Sequence, residues 1–268
     1  MTQSTPTDTG KYLWANLKAL PYFRSLLRAV EASYYEQIQL AKPIYDLGCG
    51  DGHFASIAPL PPIAVGLDPW AGPIREARAY PIYRSLVQAD AAAAPFPDGH
   101  FASAVSNSVL EHIPHLDEVL VETARILRPG ALFVFCSPNH QWLGGLHLPA
   151  LLRKLGLKGL AGWYADLFRR ISRHHHMLGP DEWRSRLDAA GFEIVDYWHY
   201  FRPASLHVLE WGHYFGLPSW VARMLLGRWI LSPSRWNLGL TAAFLKPYAT
   251  NERRTDGTYS FYVARRNG

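Results

Sequence analysis

Asp46 stands in a short apolar run, Ile44-Tyr45-Asp46-Leu47, which leads straight into Gly48-Cys49-Gly50-Asp51-Gly52. Glycine removes the Cβ that would hold a ligand off the backbone, and it lets the chain turn sharply. The apolar run, the turn and the helical pattern from His53 onward predict a strand, a tight loop and a helix N-terminus. In open α/β sheets that arrangement binds ligands at the carboxyl end of the strand. The charges narrow the ligand. A dinucleotide fingerprint spaces its glycines Gly-x-Gly-x-x-Gly and offers the helix N-terminus to a pyrophosphate. Here the spacing is Gly48-x-Gly50-x-Gly52, with carboxylates at Asp46 and Asp51 that would repel a pyrophosphate. They suit a ligand with a cationic amino-acid end. Asp68 closes a second apolar run, Ile63-Ala64-Val65-Gly66-Leu67. It lies about 20 residues past the first glycine, the spacing at which an acid accepts hydrogen bonds from both hydroxyls of a ribose. The alternative role for Asp68 is to cap the helix that Pro69 opens. A third acid, Asp90, follows Leu86-Val87-Gln88-Ala89.

The stretch from Ile44 to Phe54 resembles motif I of the class I S-adenosylmethionine (SAM)-dependent methyltransferases, type 11 group. The resemblance continues in order along the chain. Pro95-Phe96-Pro97-Asp98-Gly99-His100-Phe101 is similar to the family's "lPfpdgsFD" stretch, with Ala102 in place of the final Asp. Val109-Leu110-Glu111-His112-Ile113 resembles "vLEHi", and Leu127-Arg128-Pro129-Gly130-Ala131 resembles the "L(R/K)PGG" turn. Pro180-Asp181-Glu182-Trp183 resembles "(T/S)PEEL", and Gly191-Phe192-Glu193-Ile194-Val195 resembles "aGFeiv". The resemblance implies SAM as cofactor, S-adenosylhomocysteine as product, and a Rossmann-like α/β sheet of seven strands. The last strand would run antiparallel, with helices on both faces. The cofactor contacts it implies are Asp46, Gly48, Cys49 and Gly50 in the turn, and Asp68, Pro69 and Trp70 after the second strand. Asp90, accepting from the adenine amino group, Ala91 beside it, and Asn107 at the end of the fourth strand complete them.

The elements that must position these residues read as strands at 44–47, 63–68, 86–91, 102–107, 132–136, 192–198 and 258–265. The last alternates polar and apolar residues. Residues 1–40 read as a loose tail and one or two helices. Leu17, Leu20, Phe23, Leu26, Leu27 and Val30 recur at helical spacing, with Arg24 and Arg28 on another face. Tyr12 and Trp14 are placed either over the cofactor or in the core. Residues 41–268 read as the SAM-binding domain, with helical insertions at about 140–179 and 201–256 after strands five and six. The first insertion is expected to roof the substrate site.

Composition limits the function classes. Hydrophobic residues are 49% and charged residues 18% of 268, so a large core forms and global disorder is excluded. The net charge of +5 is spread along the chain, and no Asn-Pro-Pro-Tyr-like tetrapeptide follows the fourth strand; nucleic acid is not the expected partner. Two cysteines, Cys49 and Cys136, both in expected core elements, point to a reducing, cytoplasmic setting. No apolar run reaches the about 18 residues of a transmembrane helix. His174-His175-His176 invites a metal, but adjacent histidines rarely converge on one ion, and no metal is expected.

Methyl transfer requires an acceptor held in line with the sulfonium, and a base where the acceptor loses a proton. His112 and Glu111, following strand four near the switch point, are the catalytic candidates; capping or pocket support is their alternative role. The acceptor is expected to be a small or lipid-linked metabolite, bulky and apolar. The insertion at 201–256 interleaves Trp211, Trp220, Met224, Leu225 and Trp229 with Arg223 and Arg228. It reads either as a packed subdomain or dimer contact, or as an interfacial element at anionic lipid. The competing functions are a non-catalytic SAM-fold scaffold or membrane-docking protein and, with the glycine spacing against it, an NAD-type oxidoreductase. Oligomeric state is left open.

Overall fold

A computed structural model describes residues 8–268; the first seven residues of the expected tail lie outside it. β1 (Ile44–Leu47) is buried at every position, as a continuous apolar run requires when both faces are covered. β2 (Ile63–Asp68) and β4 (Phe101–Asn107) flank it in parallel. β3 (Tyr83–Gln88) lies outside β2, and β5 (Leu127–Pro138) outside β4. β7 (Tyr259–Arg266) runs antiparallel between β5 and β6 (Phe192–Tyr200). The order is β3-β2-β1-β4-β5-β7-β6, the expected seven-stranded sheet with its last strand reversed. Strand laying changes direction between β1 and β4, and the crevice at such a switch point is where ligands bind.

Two strands depart from the expected bounds by more than two residues. β3 begins at Tyr83 and ends at Gln88, so Asp90 follows the strand instead of ending it. As the sheet edge, β3 tolerates the exposed Arg84 and Ser85 that masked its start. The small residues after it form a short 3-10 turn, Ala91–Ala93, capped by Asp90. β5 begins at Leu127, opposite Phe101, and a register shift between Phe101 and Ser103 lets it rejoin the ladder at Leu132. The preceding helix, which runs Leu116–Ile126, ends there.

In chain order the helices are α1 (Gly10–Leu17), α2 (Tyr22–Tyr34), α3 (His53–Ile57), α4 (Ala71–Ala77), α5 (Leu116–Ile126) and α6 (His147–Lys154). They continue with α7 (Lys158–Ile171), α8 (Pro180–Ala189), α9 (Pro203–Phe215), α10 (Leu217–Leu226) and α11 (Arg235–Leu245). On one face of the sheet, Leu120 of α5 and Trp183 of α8 pack on Tyr45, Phe133 and Phe135. On the other, Val30 of α2, Phe168 of α7, Leu206 of α9 and Leu238 of α11 join Ile44, Val134 and Phe261. The N-terminal helices and both insertions therefore share one helical layer. Gly212 allows α9 to close on α2: a Cβ there would sit 2.3 Å from the Cβ of Phe23. The buried Glu210 of α9 accepts from the backbone N–H groups of His147 and Leu148 at 2.5 and 3.1 Å. An anion at the N-terminus of α6 complements its dipole and ties the two insertions together.

The outer faces of α10 and α11 are apolar and open to solvent. Leu225 is 76%, Trp236 91% and Leu240 86% exposed. Trp236, Leu240 and Phe244 lie four residues apart on α11 and share one face. Among the described residues, no helix is long and apolar enough to cross a membrane. Cys49 and Cys136 are free and buried.

Candidate functional site

A cavity of about 1110 Å³ opens over the carboxyl ends of β1, β2 and β4. Its volume exceeds the roughly 300–1,000 Å³ typical of a site for one small ligand. Its floor is the glycine turn, in which Gly48, Gly50 and Gly52 have φ of 73°, 55° and 76°. This left-handed region is costly for any residue with a Cβ. The space where a Cβ of Gly50 would stand is empty to 4 Å, whereas Gly48 is pressed against Val109. The turn is thus closed beneath and open above, as a cradle for a ligand must be.

The strand-end acids are held in distinct states. Asp46 is 7% exposed, and its Oδ2 accepts from the Tyr83 hydroxyl at 2.7 Å. Burial raises its pKa to about 7, with the Tyr83 hydrogen bond acting the other way. A cation arriving beside it would restore the charge. Asp68 accepts from the backbone N–H of Gly50 at 3.1 Å and of Trp70 at 2.9 Å. Burial raises its pKa, and those two N–H groups oppose the rise. Asp90 is held below the usual carboxylate range by the N–H of Ala92 (2.9 Å) and by His115 (3.2 Å).

Beneath the cavity lies Glu31 of α2, fully buried. Its carboxylate accepts from Arg28 (2.7 Å), Asn107 (2.6 Å), Ser108 (2.9 Å) and Tyr200 (3.1 Å). Ser108, at φ 51° immediately after β4, is held in that uncommon conformation partly by this bond. Glu31 so fixes Arg28 and Asn107, which both line the cavity.

On the opposite wall, Nδ1 of His112 lies 3.0 Å from the carbonyl of Arg173. A carbonyl only accepts, so Nδ1 carries the proton and Nε2 keeps its lone pair. Burial lowers the His112 pKa, which favours this neutral form. Glu111 does not line the cavity. It is 2% exposed, and its Oε1 stands 3.9 Å from His112 Nε2, beyond hydrogen-bonding distance. Burial raises its pKa to about 8. His174, pushed down to about 3 by burial, completes a group whose ligand atoms with Glu111 and His112 lie within 4.8 Å of one another, a spacing able to hold an ion.

All the expected cofactor contacts reach the cavity wall: Asp46, Gly48, Cys49 and Gly50 in the floor, Asp68, Pro69 and the 71% exposed Trp70 at one rim, and Asp90, Ala91 and Asn107 along the other side. Tyr12 does not: its hydroxyl donates to Glu36 at 2.6 Å within the N-terminal layer. The next helix takes that place, through Arg24 and Arg28. Sequence reasoning passed over Glu31 and Tyr83. The signal for Glu31 was its position three residues after Arg28, on the one polar stripe of an apolar helix.

A methyltransferase-domain family matches residues 20–197, well over half the chain. The chain belongs to this family, and its sheet is that of the class I SAM-dependent enzymes. It is 38% identical over 107 residues to a fatty-acid O-methyltransferase of Mycolicibacterium smegmatis, which covers 38% of this chain and 39% of that protein. It is 31% identical over 118 residues to the ubiquinone/menaquinone biosynthesis C-methyltransferase of Pseudomonas paraeruginosa, covering 42% and 46%. The chain thus spans less than half the length of either. A SAM-dependent methyltransferase from Thermotoga maritima superposes with a TM-score of 0.54 over 96% of this chain and 92% of its own, at 14% identity.

Proposed function

We propose that this chain transfers the methyl group of SAM to a bulky, apolar, small or lipid-linked acceptor, working at a membrane surface. The observation that carries the reading is the cavity itself: strand-end acids over a left-handed glycine turn, beside insertion helices that expose large apolar side chains. SAM supplies an already activated sulfonium methyl. Asp46, with Gly48, Cys49 and Gly50, is assigned to its amino-acid end, where a buried carboxylate favours an ammonium. Asp68 takes the ribose hydroxyls, Pro69 and Trp70 flank the nucleoside, and Asp90 and Ala91 take the adenine. Asn107, fixed by Glu31, stands between cofactor and acceptor.

His112 offers Nε2 to take the acceptor's proton. Glu111, buried and away from the cavity, is assigned to supporting the loop that carries His112, since its carbonyl accepts from the N–H of His175 and of His176 at 2.7 and 3.2 Å. The relatives named for a fatty acid and for ubiquinone/menaquinone biosynthesis support an apolar acceptor. The exposed faces of α10 and α11 support peripheral contact with anionic lipid, with the exposed Arg228 and Arg235 on the same segment.

The test is label transfer from methyl-tritiated SAM into an organic-extractable fraction when lipid extract is supplied. Extract-dependent label, lost in Asp68→Ala with folding retained, is expected. SAM binding without label in any fraction contradicts the reading and supports the scaffold instead.

A further inference from the structure

Arginines line both walls of the cavity, and their charge is only partly answered. Arg28 is paired with Glu31 at 2.7 Å, and Arg223 grips both carboxylate oxygens of Glu76 at 2.6 and 2.7 Å. Arg169 has Asp166 at 3.7 Å. Arg24, Arg170 and Arg173 have no ion-pair partner among the described residues. The acids that share the cavity form no ion pair with these three arginines: Asp46 accepts from Tyr83, Asp51 from the N–H of His53, and Asp68 and Asp90 from the backbone groups already described. The carboxylate of a SAM molecule can answer a guanidinium beside the glycine turn, but its sulfonium and ammonium leave the molecule net positive. An anion on the acceptor would answer the arginines that remain unpaired.

Position separates the three unpaired guanidinium groups. Arg24 faces the glycine-turn side, where Asp51 acts on it. Arg170 lies in the last turn of α7 and Arg173 two residues beyond its end, on the His112 side. Arg173 adopts φ 55°. Its carbonyl is tied to His112, and the next residue, His174, is buried edge-on to Trp142 with ring centroids 4.7 Å apart. The N–H of Arg173 donates to the carbonyl of Arg170 at 3.0 Å, so the backbone that carries Arg173 is anchored on both sides at the wall.

We propose that the acceptor bears an acidic head group, a carboxylate or a phosphate monoester, received by Arg170 and Arg173 beside His112. This deepens the assignment of an apolar acceptor and rests on it. Guanidinium matches either oxyanion with two parallel N–H donors, while the apolar remainder of the molecule extends along the insertion helices.

Octanoate and octyl phosphate, below the concentrations at which they form micelles, and octanol, below its solubility limit, are the probes. Each is titrated by calorimetry into the full chain saturated with S-adenosylhomocysteine. The acidic probes are expected to bind at least about tenfold more tightly than octanol, the size of a charge-assisted contact. Arg170→Gln/Arg173→Gln is expected to abolish that preference while octanol and S-adenosylhomocysteine bind as before. A stronger response to octyl phosphate than to octanoate, or the reverse, supports the proposal and identifies the head group. Equal affinity for octanol and the acids, or a preference that survives in the double variant, overturns it. Failure of S-adenosylhomocysteine to bind is a separate result: it removes the cofactor assignment, and the same probes added alone still report the acid preference.

Discussion

Asp46→Asn, read together with the pH dependence of the native protein, tests how the glycine turn recognises its ligand. Asp46 is 7% exposed, and burial raises its pKa to about 7. The empty protein therefore favours the neutral acid, whereas a ligand ammonium favours the anion. Linkage fixes the sign: affinity for S-adenosylhomocysteine rises with pH and levels off above 7. Between pH 7.5 and 5.5 the ionised fraction falls from about three-quarters to about 3%, so affinity should fall about 25-fold. Asparagine keeps the shape and can still accept from Tyr83, but it carries no charge at any pH. A charge-assisted hydrogen bond contributes about 1.5–3 kcal/mol, so the variant should lose about 10- to 100-fold in affinity at pH 7.5 and should lose the pH slope as well. Calorimetric titration of both proteins at several pH values is the assay. A flat profile in the native protein, or an unchanged profile in Asp46→Asn, refutes the assignment.

Three further variants probe other parts of the account. Glu31→Gln leaves Arg28 without its buried partner and should lower stability by about 3–5 kcal/mol; an unchanged urea midpoint would show that the cluster is not a unit. His112→Gln should lower kcat by about 10²–10⁴-fold while the KM for SAM holds, and a kcat within a fewfold of native would remove the base role. Replacing Trp236, Leu240 and Phe244 together with Ser should abolish co-sedimentation with anionic vesicles and leave S-adenosylhomocysteine affinity unchanged; co-sedimentation at the native level would send the apolar face to another partner.

The parts of the site that were legible in the sequence are local. A strand, a glycine turn and the acid that closes the next strand are encoded within a few residues, so Asp46, Gly48, Gly50 and Asp68 could be named as candidates from spacing together with the motif they resemble. The rest depends on which distant faces meet. Glu31 matters because α2 lies across the end of β4 and brings its carboxylate to Asn107 and Ser108. Tyr83 reaches Asp46 across β2 because Gly66 has no side chain; a Cβ there would stand 2.8 Å from the Tyr83 ring. Spacing placed Tyr12 either over the cofactor or in the core; α1 turns it inward, into the core, and leaves the cavity to Arg24 and Arg28 of α2. Helical periodicity marks those arginines as one face, but only packing shows what the face looks at. The arginines of α7 stayed silent for the same reason, lying in an insertion that no local motif orients.

Calorimetric titration of the intact chain with S-adenosylhomocysteine, with NADH as the control ligand, tests the central claim most directly. The account predicts binding of S-adenosylhomocysteine at one site in the micromolar range and none of NADH. No binding of S-adenosylhomocysteine, or binding of NADH in its place, would contradict the reading of the glycine turn and its three acids.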